Sequence, residues 1–475
     1  MNDQPLMAHQ IANILTARMH DAWLFADDTG TGKTRAGIEI IKEKGVKALI
    51  VCPRSNIQSV WIEEIEKWAP ELSGQTINLW ELHQVRTPKG HRLYDLKVKG
   101  CEIAVVNYEG FRNQIHTLRK AGFGMVLLDE SSKVRNPQAK VTKAIIDFCN
   151  SIKYRYLFSG TPAPNTRMEY WSQVRIVNKD TFGPSFWAFR NKYFIQHPYL
   201  KFKWEFSKFN TKSGVNLEAE FYTKLKSVSS HIDKRDVLDI PEQTFNVRNV
   251  DLCEEESHAY RQMVRELVVE FEKTEVTAAN QAVKIMKLRE ITSGFLYRED
   301  VVVNPHRPEA IPLGTSKLDE LAELLEEIGN HQVIITTQFT YEAEQIERLF
   351  WDKDGGRFAG KTYGVINSMK NTTEREWARI HFQQGDNQYL IAHTKSLATG
   401  HNLQNCHYLI SYSIDYSWEN QKQVQDRIHR AGQKNPCSYY YLLARNTIDE
   451  IIYRSLQGKK DTLQAALNYL KREKI

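Results

Sequence analysis

Residues 24–34 read Leu-Phe-Ala-Asp-Asp-Thr-Gly-Thr-Gly-Lys-Thr, and no other stretch restricts the fold of this chain as tightly. The apolar run at residues 22–26 has the composition of a buried strand, and residues 35–43 place Ile38, Ile40 and Ile41 near helical spacing. A strand that passes through glycines into a helix aims free backbone N–H groups, and the positive end of the helix dipole, at whatever the turn encloses. Gly30 and Gly32, with Thr31 between them, let the backbone wrap an anion without Cβ clashes. Lys33 would neutralise β- and γ-phosphates, and the Thr34 hydroxyl would bind Mg²⁺. A full phosphate-loop pattern needs glycine at position 27, where Asp27 stands, so a chance Gly-Lys turn is the competing reading.

The surroundings weigh against chance. Residues 125–128 form an uninterrupted apolar run ending in Asp129-Glu130, as the end of a second buried strand would. Asp129 suits a metal ion, through water, and Glu130 suits polarising the attacking water. Hydrolysis also needs positive charge near the γ-phosphate. Gln423-Val-Gln-Asp-Arg427-Ile-His-Arg430-Ala-Gly-Gln433 offers two arginines at helical spacing, expected on one helix face. An isolated R-x-x-R is ordinarily a solvated helix face. Here the pair lies far beyond Lys33, in what must be another domain, where it would couple domain closure to hydrolysis.

A chain of 475 residues suggests about two to four domains. Its 41% hydrophobic and 26% charged composition is that of a globular protein with a large core. The net charge of +6 is compatible with a polyanionic partner without requiring one. Six scattered cysteines without a C-x-x-C pair argue against a zinc site or disulfide framework and fit a reducing compartment. Without a signal-peptide pattern or an apolar run long enough for a membrane helix, a cytoplasmic protein is expected.

Taken in order, these segments resemble superfamily 2 helicase-like ATPases, and more narrowly the Snf2 family of DNA translocases. Residues 26–34 are similar to the family's A-D-E-M-G-L-G-K-T, in which aspartate occupies the early position, so Asp27 reads as a family variant of a true phosphate loop. Leu6-Met-Ala-His-Gln10 looks like the segment whose glutamine reads adenine. Residues 49–68, with Arg54, resemble a strand whose Pro-rich end meets the nucleic-acid backbone, and residues 105–112 the motif after it. Residues 157–165, with Thr161, are similar to the S-G-T-P segment that links hydrolysis to DNA contact. Residues 231–260 resemble the passage between lobes, and 316–340 the opening of the second. Residues 399–403 partly fit G-x-G-x-N-L, retaining Gly400, Asn402 and Leu403 downstream of Lys395. Residues 423–433 match the last motif almost throughout, with Gln423 at the nucleotide and Arg427 and Arg430 as arginine fingers. There are departures. Asp-Glu-Ser-Ser replaces D-E-A-H or D-E-G-H, so coupling at Ser132 must use a hydroxyl, and Ser396-Leu-Ala398 stands where Ala-Gly-Gly is frequent.

The resemblance implies two tandem RecA-like, doubly wound parallel-sheet α/β lobes, about residues 1–240 and 241–475. Residues 166–235 interrupt the first. Between 186 and 212 they hold ten aromatics and six Lys/Arg against one acid, Glu205. Either a small β-subdomain with aromatics in its core, or a hairpin placing Lys201 and Lys203 on phosphates, fits this pattern, and both can hold at once. Residues 210–214 read as a turn, 254–300 as a helical protrusion, and 459–475 as a C-terminal helix with Leu463, Leu467 and Leu470 on one stripe. The implied activity is an ATP- and Mg²⁺-dependent, largely sequence-independent double-stranded DNA translocase. It would act as a monomer on duplex or branched DNA, in branch migration or fork reversal, as in compact bacterial or phage members. A conventional DNA or RNA helicase, an ATP-driven protein-displacing switch on nucleic acid, and a restriction motor subunit are the alternatives.

Overall fold

The structure, a computed structural model, describes residues 5–82, 93–196, 204–209, 214–273, 278–304, 307–351, 355–397 and 403–457. Two compact units divide the chain, Met1–Asp239 and Ile240–Ile475.

The strands of the first unit are β1 (Ala22–Phe25), β2 (Ala48–Cys52), β3 (Thr76–Asn78), β4 (Ile103–Asn107), β5 (Met125–Asp129), β6 (Tyr154–Phe158), β7 (Phe194–Gln196), β8 (Trp204–Phe206) and β9 (Ser229–Ser230). Seven of them make one sheet in the order β3-β4-β2-β5-β6-β1-β9, every pair parallel. β2, β4 and β5 are buried at every residue, which is why their sequences are continuous apolar runs rather than alternating ones: helices cover both faces. Parallel pairing puts the loops that follow β1, β5 and β6 at one edge of the sheet, where open α/β sheets place ligands. The phosphate-loop strand is therefore flanked by β6 and the two-residue β9, with Leu24 and Phe25 opposite Ser229 and Ser230.

β7 and β8 pair antiparallel, so the expected alternating strand is present as Trp204–Phe206. Several aromatics of this region go inward, while Trp187 and Phe209 are exposed. Phe221 is fully buried and packs among Phe182, Phe189, Tyr193 and Phe206 at ring-centroid distances of 5.0, 6.4, 5.6 and 5.3 Å. Lys201, Lys203 and residues 210–213 lie outside the described residues.

In the second unit, β10 (Gln243–Val250), β13 (Val333–Thr337), β14 (Tyr363–Ile366), β15 (Tyr389–His393), β16 (Tyr408–Ser411) and β17 (Cys437–Ala444) form a sheet in the order β10-β17-β16-β13-β15-β14, again parallel throughout. β11 (Phe295–Asn304) and β12 (Arg307–Pro312) pair antiparallel outside it. The protrusion is thus helical over Glu254–Lys273 and Ala278–Thr292, but residues 295–300 are strand, a correction to the helical expectation. Gly294 ends the helix at φ 84°, and a Cβ there would lie 2.3 Å from Gly314 O, so the chain must turn at this point. The buried Lys317–Asp449 ion pair (2.5 Å), with Thr292 Oγ1 donating to Asp449 at 3.1 Å, ties this region to the sheet's last crossover. The tail at 459–475 is outside the described residues. No helix among the described residues is long and apolar enough to cross a membrane.

Truncating the centre of the aromatic cluster leaves a cavity the surrounding rings cannot fill. Phe221→Ala should cost about 3–5 kcal/mol in denaturant titration of the full chain. A loss below about 1 kcal/mol would remove the cluster from the core.

Candidate nucleotide-binding site

The turn after β1 closes on its own lysine. Gly30 (φ 89°) and Gly32 (φ 75°) adopt the left-handed conformation, and the helix Lys33–Lys44 starts directly after Gly32, its N-cap. Lys33 Nζ donates to the carbonyls of Asp27 and Asp28, each at 2.8 Å, and Thr31 Oγ1 donates to Asp28 O at 2.9 Å. The helix Ala8–Met19 backs the turn: Gln10 Nε2 donates to Gly32 O at 3.2 Å, and His9 Nε2 lies 2.7 Å from Thr31 O. A Cβ on Gly32 would sit 2.4 Å from Gln10 Nε2, so glycine is required here twice over, by backbone angle and by space. Gln10, expected at the adenine, also braces the loop that would hold the phosphates.

At the end of β5, Asp129 is buried and fully dressed with donors. Its Oδ2 accepts from Trp61 Nε1 at 3.0 Å and Asn56 Nδ2 at 3.2 Å, and its Oδ1 accepts from Glu130 N at 3.1 Å. Trp61 stands on a π-helical turn, Ile57–Ile62, and the Cβ that Gly37 lacks would be 3.1 Å from its ring. Glu130 itself is left-handed at φ 51° and ψ 55°, a strained backbone for a side-chain-bearing residue that only its surroundings can maintain. Tyr108 supplies part of that restraint, its hydroxyl 2.7 Å from Asp129 O and 3.3 Å from Glu130 O. Burial, reinforced by the Asp129 carboxylate, pushes the Tyr108 pKa well up and keeps the phenol a donor. Asn56 and Trp61 fall in the segment read from the sequence as meeting the nucleic-acid backbone, and Tyr108 in the motif after it; the sequence singles out none of them, since each meets the Asp129–Glu130 end from a distant part of the chain.

Asp27 is fully buried, its Oδ2 accepting from Asn13 Nδ2 at 2.6 Å and its Oδ1 without a partner among the described residues. Burial raises its pKa against the opposing pull of Asn13 and Lys33. Beside the loop, a Cβ on Gly160 would lie 2.6 Å from Thr29 Oγ1, and Thr161 N donates to Ser159 Oγ at 3.3 Å, so the Ser159–Pro162 segment rests against the phosphate loop.

The donor set fits a nucleotide and Mg²⁺. The glycine cradle admits no Cβ, an ammonium group already sits in it, and the half-buried Thr34 opens the following helix. Among the described residues no group of three or more His, Cys, Asp or Glu is placed to hold a metal. Mg²⁺ bound to phosphates needs only one or two protein oxygens, and Thr34 and Asp129 are the residues that would offer them.

In the second unit, Gln423 and Arg427 lie on the helix Trp418–Ile428, but Arg430 does not: the helix stops before His429 (φ −91°, ψ 84°). The expectation of both arginines on one helix face is corrected accordingly. The terminal carbonyls find other partners, since Leu403 N donates to Arg427 O at 3.1 Å and Gln433 Nε2 to Ile428 O at 3.3 Å. Gln433 Nε2 also reaches Gln404 O and Cys406 O, at 3.0 and 2.9 Å. Gln433 of the matched motif is therefore a helix stop that sets Arg430 in the turn. Of the expected nucleic-acid residues, Arg54 is exposed after β2 with its guanidinium 4.0 Å from the Trp80 ring centroid. Lys395 is exposed on the short helix Thr394–Leu397, and Thr161 is half-buried. Lys201, Lys203, Gly400 and Asn402 are outside the described residues.

Residues 9–294 match the SNF2-related domain, and residues 316–432 the helicase conserved C-terminal domain. The chain is 24% identical to protein p41 of Acyrthosiphon pisum secondary endosymbiont phage 1, with 98% of each chain covered. It is 23% identical to the human DNA repair and recombination protein RAD54-like, over 92% of this chain and 62% of that protein. It is 25% identical to the nuclear protein STH1/NPS1 of Saccharomyces cerevisiae, over 92% of this chain and 33% of that protein. The chain thus spans the phage protein almost end to end, but less than two thirds of the other two. Among solved structures, the Sulfolobus solfataricus SWI2/SNF2 ATPase core in complex with dsDNA aligns over 99% of this chain and 97% of that one, at 20% identity and a TM-score of 0.43.

Asp27 gives the site a pH signature. An acid whose folded pKa lies above its unfolded value favours folding at low pH, and that contribution is lost as pH rises through the raised value. Asp27→Asn removes the loss while keeping an oxygen for Asn13. Its melting temperature relative to wild type should therefore climb as pH rises from the ordinary aspartate range towards neutral. A difference that stays flat or falls over that range would show that Asp27 ionises without cost.

Proposed function

The chain belongs to the SNF2-related family and is an ATPase of helicase superfamily 2, and from that premise we propose that it is a double-stranded DNA translocase that remodels DNA junctions. The observation that carries this reading is the joint presence of both family domains with a first-lobe site in which an ammonium group fills the glycine cradle and a fully hydrogen-bonded aspartate stands at the end of β5. The DNA repair and recombination role in the RAD54-like relative's name, and a phage relative of the same length, support the assignment to recombination or replication rather than to RNA metabolism.

In this mechanism Gly30, Thr31, Gly32 and Lys33 bind the β- and γ-phosphates through backbone N–H groups and the ammonium, which must leave the carbonyls of Asp27 and Asp28 to do so. Gln10 orients the base, and Gln423 serves the nucleotide from the second lobe. Thr34 and Asp129 would hold Mg²⁺, whose bound charge offsets that of the phosphates. Glu130 takes a proton from the attacking water, and its left-handed backbone sets where that carboxylate stands. Arg427 and Arg430 stabilise charge on the transferring phosphoryl group. Arg54, Thr161, Lys201, Lys203, Lys395 and Asn402 grip phosphates of the DNA backbone, which positions the protein without specifying sequence. The protein works as a monomer, and alternating grip during the ATP cycle advances it along the duplex.

The test measures ATP turnover with duplex DNA, single strand, RNA and a four-way junction side by side. Duplex and junction should stimulate most, and their affinity should fall steeply with salt and vary little with sequence. Stimulation by RNA alone would move the assignment to a conventional RNA helicase. Glu130→Gln should lower turnover about 10²–10⁴-fold while still binding ATP, and Lys33→Ala should abolish turnover. Near-normal hydrolysis by either variant would overturn the site assignment.

A further inference from the structure

Glu130 cannot hold its left-handed backbone alone, and the residue after it is fastened to something distant in sequence. Ser131 is fully buried, and its Oγ donates to Gln173 Oε1 at 2.7 Å. Gln173, on the helix Tyr170–Val177, is fully buried too, and its Nε2 donates to Pro162 O at 2.6 Å and Glu169 O at 3.1 Å. Both amide protons and the amide oxygen of one side chain are thus committed, in a place where water does not replace a lost partner.

We propose that Gln173, acting through Ser131, is the positioning residue that transmits movement of the Ser159–Pro162 segment to Glu130. The geometry gives it a defined path: Pro162 carbonyl, Gln173 amide, Ser131 hydroxyl, Glu130 backbone. The same helix grips the far end of the turn, because Ser172 Oγ donates to Val134 O at 2.6 Å. The 3₁₀ turn Ser131–Val134 is therefore pinned at both ends, and displacement of Pro162 reaches Glu130 rather than being absorbed along the way. At its other side the Ser159–Pro162 segment lies against Thr29 of the phosphate loop. Ser131, one residue before Ser132, makes this hydroxyl bridge at the position where the resembled families carry alanine or glycine.

This inference deepens the proposed function and rests on it, because the signal to be transmitted is DNA engagement. The variants are Ser131→Ala, Gln173→Leu and the two combined, assayed for ATP turnover with and without saturating duplex, for KM, for duplex affinity and for thermal melting. Each single variant should lower the ratio of stimulated to unstimulated kcat about ten-fold, the effect of one buried hydrogen bond left unsatisfied. KM for ATP and duplex affinity should stay near wild type. Because the two residues act in series, the double variant should be no worse than the more impaired single one. Ser131→Ala, the milder change, decides the matter if Gln173→Leu does not fold. An equal fall in stimulated and unstimulated turnover, a retained ratio in Ser131→Ala, or multiplying effects in the double variant would overturn the relay. Wild-type protein that duplex fails to stimulate would overturn the motor reading with it, whereas stimulation in wild type that survives in Ser131→Ala overturns the relay alone.

Discussion

A carboxylate removed from water is tolerated only where donors take over its hydration, and in the first lobe that requirement at Asp129 organises everything around it. Three donors meet its two oxygens: the Trp61 indole, the Asn56 amide and the Glu130 backbone N–H. Hydrogen bonds to a charged group contribute about 1.5–3 kcal/mol each, enough together to hold a strand end in one position. Accepting from Glu130 N bends the chain sharply, and the next residue adopts a left-handed backbone. Asp27, more deeply buried and with one donor, shows the opposite arrangement, and burial raises its pKa. One acid is met by three donors at a strand end; the other is buried beneath the loop after β1 with a single one.

The same loop is bound to the segment that leads out of the first unit. Ala26 N and Asp28 N donate to Ser230 O and Ile232 O at 2.8 and 2.9 Å, continuing the β1–β9 pairing past the end of the strand. His231 Nδ1 lies 2.6 Å from Ala26 O, and Lys234 N donates to Asp28 Oδ2 at 3.4 Å. Asp28, one of the two residues whose carbonyls receive Lys33, is therefore also, with Ala26, an attachment of the segment that leads to the boundary at Asp239. A phosphate bound by Lys33 would draw the ammonium away from these carbonyls.

The phosphate loop was legible because its chemistry is local: glycines, lysine and threonine in fixed order between an apolar run and a helical period. Asp129 and Glu130 were legible as acids ending an unbroken apolar run. Trp61 and Asn56 were not, since they meet Asp129 across separations of 68 and 73 residues, and a hydrogen bond of that range leaves no periodic trace. β9 is two serines long and carries no strand signal at all; its pairing with β1 makes it a strand. The placement of Arg430 failed for a related reason. Helical spacing continues through the motif, but Gln433 and Leu403 take the final carbonyls and stop the helix at Ile428. Tertiary partners, not propensity, decided those cases.

The central claim is that ATP hydrolysis at this site drives movement along an intact duplex. Displacement of a triplex-forming third strand reports that movement without requiring the duplex to open. Compared under the same ATP and salt with unwinding of a simple tailed duplex, the protein should strip the third strand in an ATP-dependent manner and open the tailed duplex poorly. Efficient unwinding of the tailed duplex with the triplex left in place would contradict the account.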